Sequence, residues 1–171
     1  MEQSNIIERE FKKIKLESTI GIRLEYTERV TTEKDGETFT DSSEFTLVKY
    51  KEVHPDLKAC FDKLKPYVLN LCEITDEVDS ADTILLGKIK VTGVTIGGSD
   101  EHEGCTLIAQ RILKHGKVLN LITPFMKWED EYNGYDHSYE VAGIVRELQH
   151  ECELYLSGKY APEKQLELDL K

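Results

Sequence analysis

The chain has 171 residues, 39% of them apolar and 32% charged, which is enough for one domain with a real core and too little for two large ones. Its 33 acidic and 22 basic residues give a formal charge of -11. A surface of that sign repels nucleic-acid backbone, so no direct nucleic-acid binding is expected. No apolar run approaches the length of a membrane span, and Met1-Glu2-Gln3-Ser4-Asn5 does not read as a signal peptide. The expected setting is cytoplasmic, with no membrane partner.

Arg9, Lys12, Lys13 and Lys15 are the nearest approach to a basic cluster, but Glu8, Glu10 and Glu17 interrupt them. From Ile14 to Tyr26 apolar and polar residues alternate, which predicts a half-buried strand, bent or broken near Gly21 because the run is long. Lys34-Asp35-Gly36-Glu37 is a turn signal, and Phe45 to Tyr50 reads as the returning strand of a long hairpin whose tip carries Thr31 to Ser43.

Pro55 suits the first turn of a helix. Leu57, Cys60, Phe61, Leu64, Val68 and Leu71 then follow at spacings of three and four, forming one apolar stripe that Pro66 should kink or split. Residues 73–82 form an acidic linker. Ile84 to Ile96 predicts a strand with Gly87 and Gly93 as bulges, and Gly97-Gly98-Ser99-Asp100 a turn. Cys105–Leu113 suits a strand or a short helix, and the tight turn Lys114-His115-Gly116-Lys117 into a strand at Val118–Ile122 favours the strand. Pro124 ends the last strand, and an irregular aromatic and acidic loop follows from Phe125 to Tyr135. Val141, Ile144, Val145, Leu148, Cys152 and Tyr155 mark a second helix, stopped by Gly158.

The pattern predicts an α+β fold: a mostly antiparallel sheet of about five strands with two amphipathic helices on one face. Residues 1–159 read as one domain and 160–171 as a tail. Cys60, Cys72, Cys105 and Cys152 lie far apart with no CxxC pair and read as free thiols.

No motif predicts a cofactor or metal, and no catalytic residue is assigned. Val94 to Asp100 lacks the lysine and hydroxyl residue of a phosphate loop and reads as a hairpin turn. Asp100, Glu101, His102 and Glu103 are consecutive, so their donors point different ways. His54, His115, His137 and His150 are isolated. Glu129, Asp130, Glu131 and Asp136 offer carboxylates for hydrolysis or a divalent ion, but acids near a helix start are also favoured by its dipole. Trp128, Tyr132 and Tyr135 are either folded onto the sheet or exposed as a contact patch.

The sharpest signal is terminal: Gln165-Leu166-Glu167-Leu168-Asp169-Leu170-Lys171. The segment resembles the clamp-binding peptide of bacterial replication and repair proteins, which begins with glutamine, carries leucine at its second and fourth positions, and ends on leucine or phenylalanine. Gln165, Leu166, Leu168 and Leu170 match position by position. The resemblance implies a bacterial sliding clamp as partner. Alternating leucines also suit an edge strand of the chain's own sheet or an oligomer contact. More diffusely, the whole chain is similar to small bacteriophage and prophage proteins of unknown activity encoded near DNA-metabolism genes. Ile89 to Thr95, His54 to Lys58, and Tyr155 to Ala161 leading into Gln165 carry that similarity. It implies no catalytic residues.

Three functions are therefore open: a non-enzymatic accessory protein docking on the clamp, an acidic protein blocking a nucleic-acid-binding surface, and a carboxylate-dependent nuclease or hydrolase. Oligomeric state is not legible.

Overall fold

The computed structural model describes residues 5–163. The chain runs β1 (Ile6–Glu17), β2 (Gly21–Lys34), β3 (Glu37–Lys49), α1 (Pro55–Lys63), α2 (Lys65–Leu71), α3 (Thr83–Gly87), β4 (Ile89–Gly97), β5 (Gly104–Ile112), β6 (Val118–Ile122), β7 (Met126–Lys127) and α4 (Ser138–Leu156). The fold is α+β. Seven strands among the described residues form one antiparallel sheet in the order β3-β2-β1-β4-β5-β6, with β7 also beside β5.

The expected count of five strands was low for two reasons. Ile14 to Tyr26 is not one strand: the chain reverses at Ser18–Ile20, placing Leu16 opposite Ile22 and Glu17 opposite Gly21. The break expected near Gly21 is thus a full reversal that ends at this residue. Gly21 is small because a Cβ there would lie 2.8 Å from the Lys49 carbonyl oxygen and 2.9 Å from the Tyr50 ring. The second miss is β7, the short continuation of β6. Between them, the Leu107 amide donates to Thr123 Oγ1 at 2.9 Å, which holds the irregular Thr123–Phe125 stretch to the sheet.

The expected pair of helices also changes. Pro66 splits the first into α1 and α2, with Leu64 between them. Ile84 to Gly87 is not strand but belongs to α3, capped by Asp82, whose carboxylate accepts the Leu85 amide at 2.7 Å. The strand proper begins at Ile89, and its bulge falls between Val91 and Gly93.

One core unites the layers. Phe11, Ile14, Ile22, Leu24, Val94 and Leu107 of the sheet meet Leu57, Phe61, Leu64 and Val68 of α1 and α2, their connection included, and Val145, Leu148, Cys152 and Tyr155 of α4. Full burial of each such side chain is worth roughly 1.5–3 kcal/mol. The opposite surface of β1 and β2 is polar, with Lys13 beside Glu25 and Glu8 beside Arg29. All four cysteines are free thiols; Cys60, Cys105 and Cys152 are buried and Cys72 is half-buried.

Candidate functional site

Gln165, Leu166, Leu168 and Leu170 lie outside the described residues. What the structure does define is the segment that leads to them. α4 ends at Leu156, and Gly158 at φ +104° turns the chain back. The Gly158 amide donates to the Tyr155 carbonyl at 3.0 Å, and the Lys159 amide to the Leu154 carbonyl at 2.9 Å. This reversal is the ordinary glycine stop of a helix. It delivers Tyr160 to an antiparallel bridge with Val53, and the Ala161 amide donates to the Glu52 carbonyl at 2.9 Å.

Side chains lock that exit. The Tyr160 ring meets Tyr155 edge-on at 5.0 Å, and the Lys49 ammonium sits 4.7 Å from the Tyr160 ring centre while donating to its hydroxyl. The Tyr155 hydroxyl donates to the Lys51 carbonyl at 2.8 Å; burial pushes its pKa up to about 12, so it stays a neutral donor. Lys159 bonds both Asp56, at 2.7 Å, and Glu151, at 3.0 Å. That bond holds the Asp56 carboxyl below its usual range and the Lys159 ammonium above its own. Pro162 and Glu163 then emerge on the surface. Sequence reasoning missed Lys49, Tyr155, Lys159 and Tyr160 as a unit. The stop glycine followed by an aromatic residue was the available signal.

A second candidate is an acidic hollow of about 380 Å³. Asp76, Glu77 and Asp79 of the α2–α3 connection meet Asp136 and His137 there, so two acid-rich stretches distant in sequence converge. Its polar floor is structural. The Tyr135 hydroxyl donates to Asn70 Oδ1 at 2.6 Å, and Asn70 Nδ2 donates to the Thr75 and Asp76 carbonyls. Burial pushes Tyr135 up to about 12. His137 meets the Tyr67 and Tyr135 rings edge-on.

Of the four loop carboxylates considered for hydrolysis, only Asp136 lines this hollow. Asp130 is occupied by its own turn: its Oδ1 accepts the Asn133 and Tyr132 amides, both at 3.1 Å, and these hold its pKa down. Among the described residues, no group of three or more His, Cys, Asp or Glu side chains is placed to hold a metal ion.

The remaining candidates separate. Gly97 to Asp100 does form the β4–β5 turn, and Asp100, Glu101 and His102 are exposed on it. His54 caps α1, its Nδ1 accepting the Asp56 amide at 3.1 Å. His115 occupies the β5–β6 turn at φ 67°. The loop aromatics divide: Trp128 and Tyr135 pack against the core, whereas Tyr132 is 89% exposed. Burial pushes the Cys105 thiol up to about 12 and the Cys152 thiol well above its ordinary value, so neither is a ready nucleophile.

No family model, curated protein or solved structure matches the chain. Among the described residues, no helix is long and apolar enough to cross a membrane.

Proposed function

We propose that the protein is a non-enzymatic accessory factor of phage or bacterial DNA metabolism that docks on a sliding clamp through its C-terminal peptide. The observation that carries this reading is the clasp at Tyr160. It fixes the backbone at Tyr160 and Ala161 and brings Pro162 and Glu163 out on the surface, with Lys164 and then Gln165 following in sequence. A firm attachment just ahead of an apolar segment suits a docking peptide.

In this reading the Gln165 amide orients the peptide by hydrogen bonds. Leu168 and Leu170 fill an apolar pocket, and Leu166 packs beside them. Each buried leucine contributes roughly 1.5–3 kcal/mol. After ordering costs, a few such anchors support micromolar affinity. The domain is then the cargo that the clamp brings to DNA, which suits a surface with no need to contact nucleic acid itself.

Calorimetric titration of purified clamp with the full chain tests the assignment. Saturable binding is expected, and a Gln165→Ala/Leu168→Ala chain should lose it while keeping its circular dichroism and unfolding midpoint. No heat at about 100 μM, a limit near -5.5 kcal/mol, rejects the clamp as partner.

A further inference from the structure

The edge strand β3 is long and exposed nearly throughout, with Phe45 43% and Val48 40% accessible. An uncovered edge of this length is a template for another strand. We propose that its occupant is the chain's own C-terminal segment, residues 165–170, added antiparallel to β3.

The register is already set. Tyr160 bridges Val53 antiparallel, and the Ala161 amide donates to the Glu52 carbonyl. Carrying this pairing along the chain places Gln165 opposite Val48, Glu167 opposite Thr46 and Asp169 opposite Glu44. Three independent features agree with it.

The first is hydrogen-bond parity. The β2–β3 hairpin turns on Asp35 and Gly36, at φ 55° and 80°, which makes Lys34 and Glu37 a bonded closing pair. Bonded pairs alternate along an antiparallel ladder. Odd residues of β3 therefore bond to β2, and even residues present their amides and carbonyls to the free edge. The extrapolated register offers Val48, Thr46 and Glu44, which are the outward-facing set. The bend at Lys51 lies between bridge and strand, yet the parity on its two sides matches.

The second is Pro162. Ala161 donates inward, so Pro162 falls on the position whose amide points away from the ladder. Its missing donor costs nothing there.

The third is the side-chain pattern. Leu47 packs on the core, and Phe45 stacks at 5.4 Å on Tyr26, itself 5.6 Å from Phe11. The same register sets Leu166 beside Leu47 and Leu168 beside Phe45, extending that apolar row by one strand. The register makes two like-charge pairs: Asp169 beside Glu44, which Lys12 at 3.8 Å from Glu44 offsets, and Lys164 beside Lys49 just ahead of the paired segment.

The pairing rests on register and not on the clamp reading. Where both hold, β3 and the clamp compete for the same leucines, and the free protein keeps its docking peptide masked. Amide hydrogen exchange by NMR on the full chain reads the pairing directly. The Val48, Thr46 and Glu44 amides should exchange about tenfold more slowly than in a full-length Glu167→Pro variant, which lacks the central ladder donor. The Phe45 and Leu47 amides, bonded to β2, should be unchanged and report that the domain is intact. Equal exchange of the outward amides in both proteins overturns the proposal. Protection that rises with protein concentration also overturns it, because it makes a second copy the occupant. Clamp titration has no bearing on these rates in the free protein, so either reading fails without the other.

Discussion

Glycines separate sharply by what surrounds them. At Gly104, where β5 meets β7, a Cβ would lie 2.0 Å from the Met126 carbonyl oxygen and 2.7 Å from Lys127 Cα. Backbone cannot yield there without breaking the β5–β7 pairing. At Gly143, within α4, nothing lies within 4 Å of the added atom and the backbone is helical. Gly104→Ala should therefore destabilise the fold by about 2–4 kcal/mol, as forced backbone strain does. Gly143→Ala should stabilise it by about 0.5–1 kcal/mol, since alanine gives up less chain entropy in a helix. Urea unfolding of the two variants checks both signs. A Gly104→Ala midpoint equal to wild type would mean that β7 is not held against β5 as described.

At the scale of elements, Lys159 joins the end of α4 to the start of α1 by bonding Asp56 and Glu151. The Asp56 carboxyl is held below its ordinary 3.8, chiefly by the Lys159 hydrogen bond, so its contribution is present above that value and disappears as pH falls through the folded-state pKa. The Lys159 ammonium is held above its ordinary 10.5, so its contribution is complete below 10.5 and lost as pH rises through its folded-state pKa. The clasp thus acts across the whole neutral range and weakens at both extremes. Asp56→Asn should lower the urea midpoint at pH 7, and the gap from wild type should shrink towards zero as pH falls through the lowered folded-state pKa of Asp56. A gap that stays constant down to pH 2 would remove Asp56 as the charged partner. Which elements could be read from sequence also has particular physical causes. The α4 stripe and the Asp35-Gly36 turn were plain because periodicity and turn chemistry agreed. The outer half of β1 was hidden because a bulge between Phe11 and Lys13 shifts its buried set from Phe11 to Ile14, breaking the period of two. The length of the run signalled a break near Gly21, but that it was a full reversal at Ser18–Ile20 did not show, because Leu16 and Ile22 stay on one face and the alternation runs on through the turn. Thr83–Gly87 was too short and apolar to separate helix from strand, and only the Asp82 cap marked it. The clasp residues could be read singly, but their convergence with β3 is a tertiary fact.

For the whole molecule, the formal charge is -11, and several of its acids are already paired with bases. Arg9 bonds Glu28 at 3.0 Å and Glu153 at 2.8 Å, Arg29 meets Glu10 at 3.2 Å, and Lys63 meets Glu147 at 2.7 Å. The hollow around Asp76 and Asp136 brings acids from two distant stretches together. Salt dependence distinguishes two ways of meeting a partner. Docking through Leu166, Leu168 and Leu170 is apolar, and Glu167 and Asp169 are accompanied by Lys171, so little net charge enters the contact. Affinity for the clamp should change by less than about threefold when salt rises from about 50 to about 500 mM, because screening has few charges to act on. An acidic mimic releases no counterions from DNA but depends on many charge pairs with a basic surface, and over the same range its affinity should fall by well over about tenfold. Calorimetry at the two salt concentrations decides the matter. A steep loss would mean that the acidic surface carries the contact and would remove the leucines as its principal anchors. A flat response, abolished by Leu168→Ala, places the contact on the apolar face of the terminal peptide.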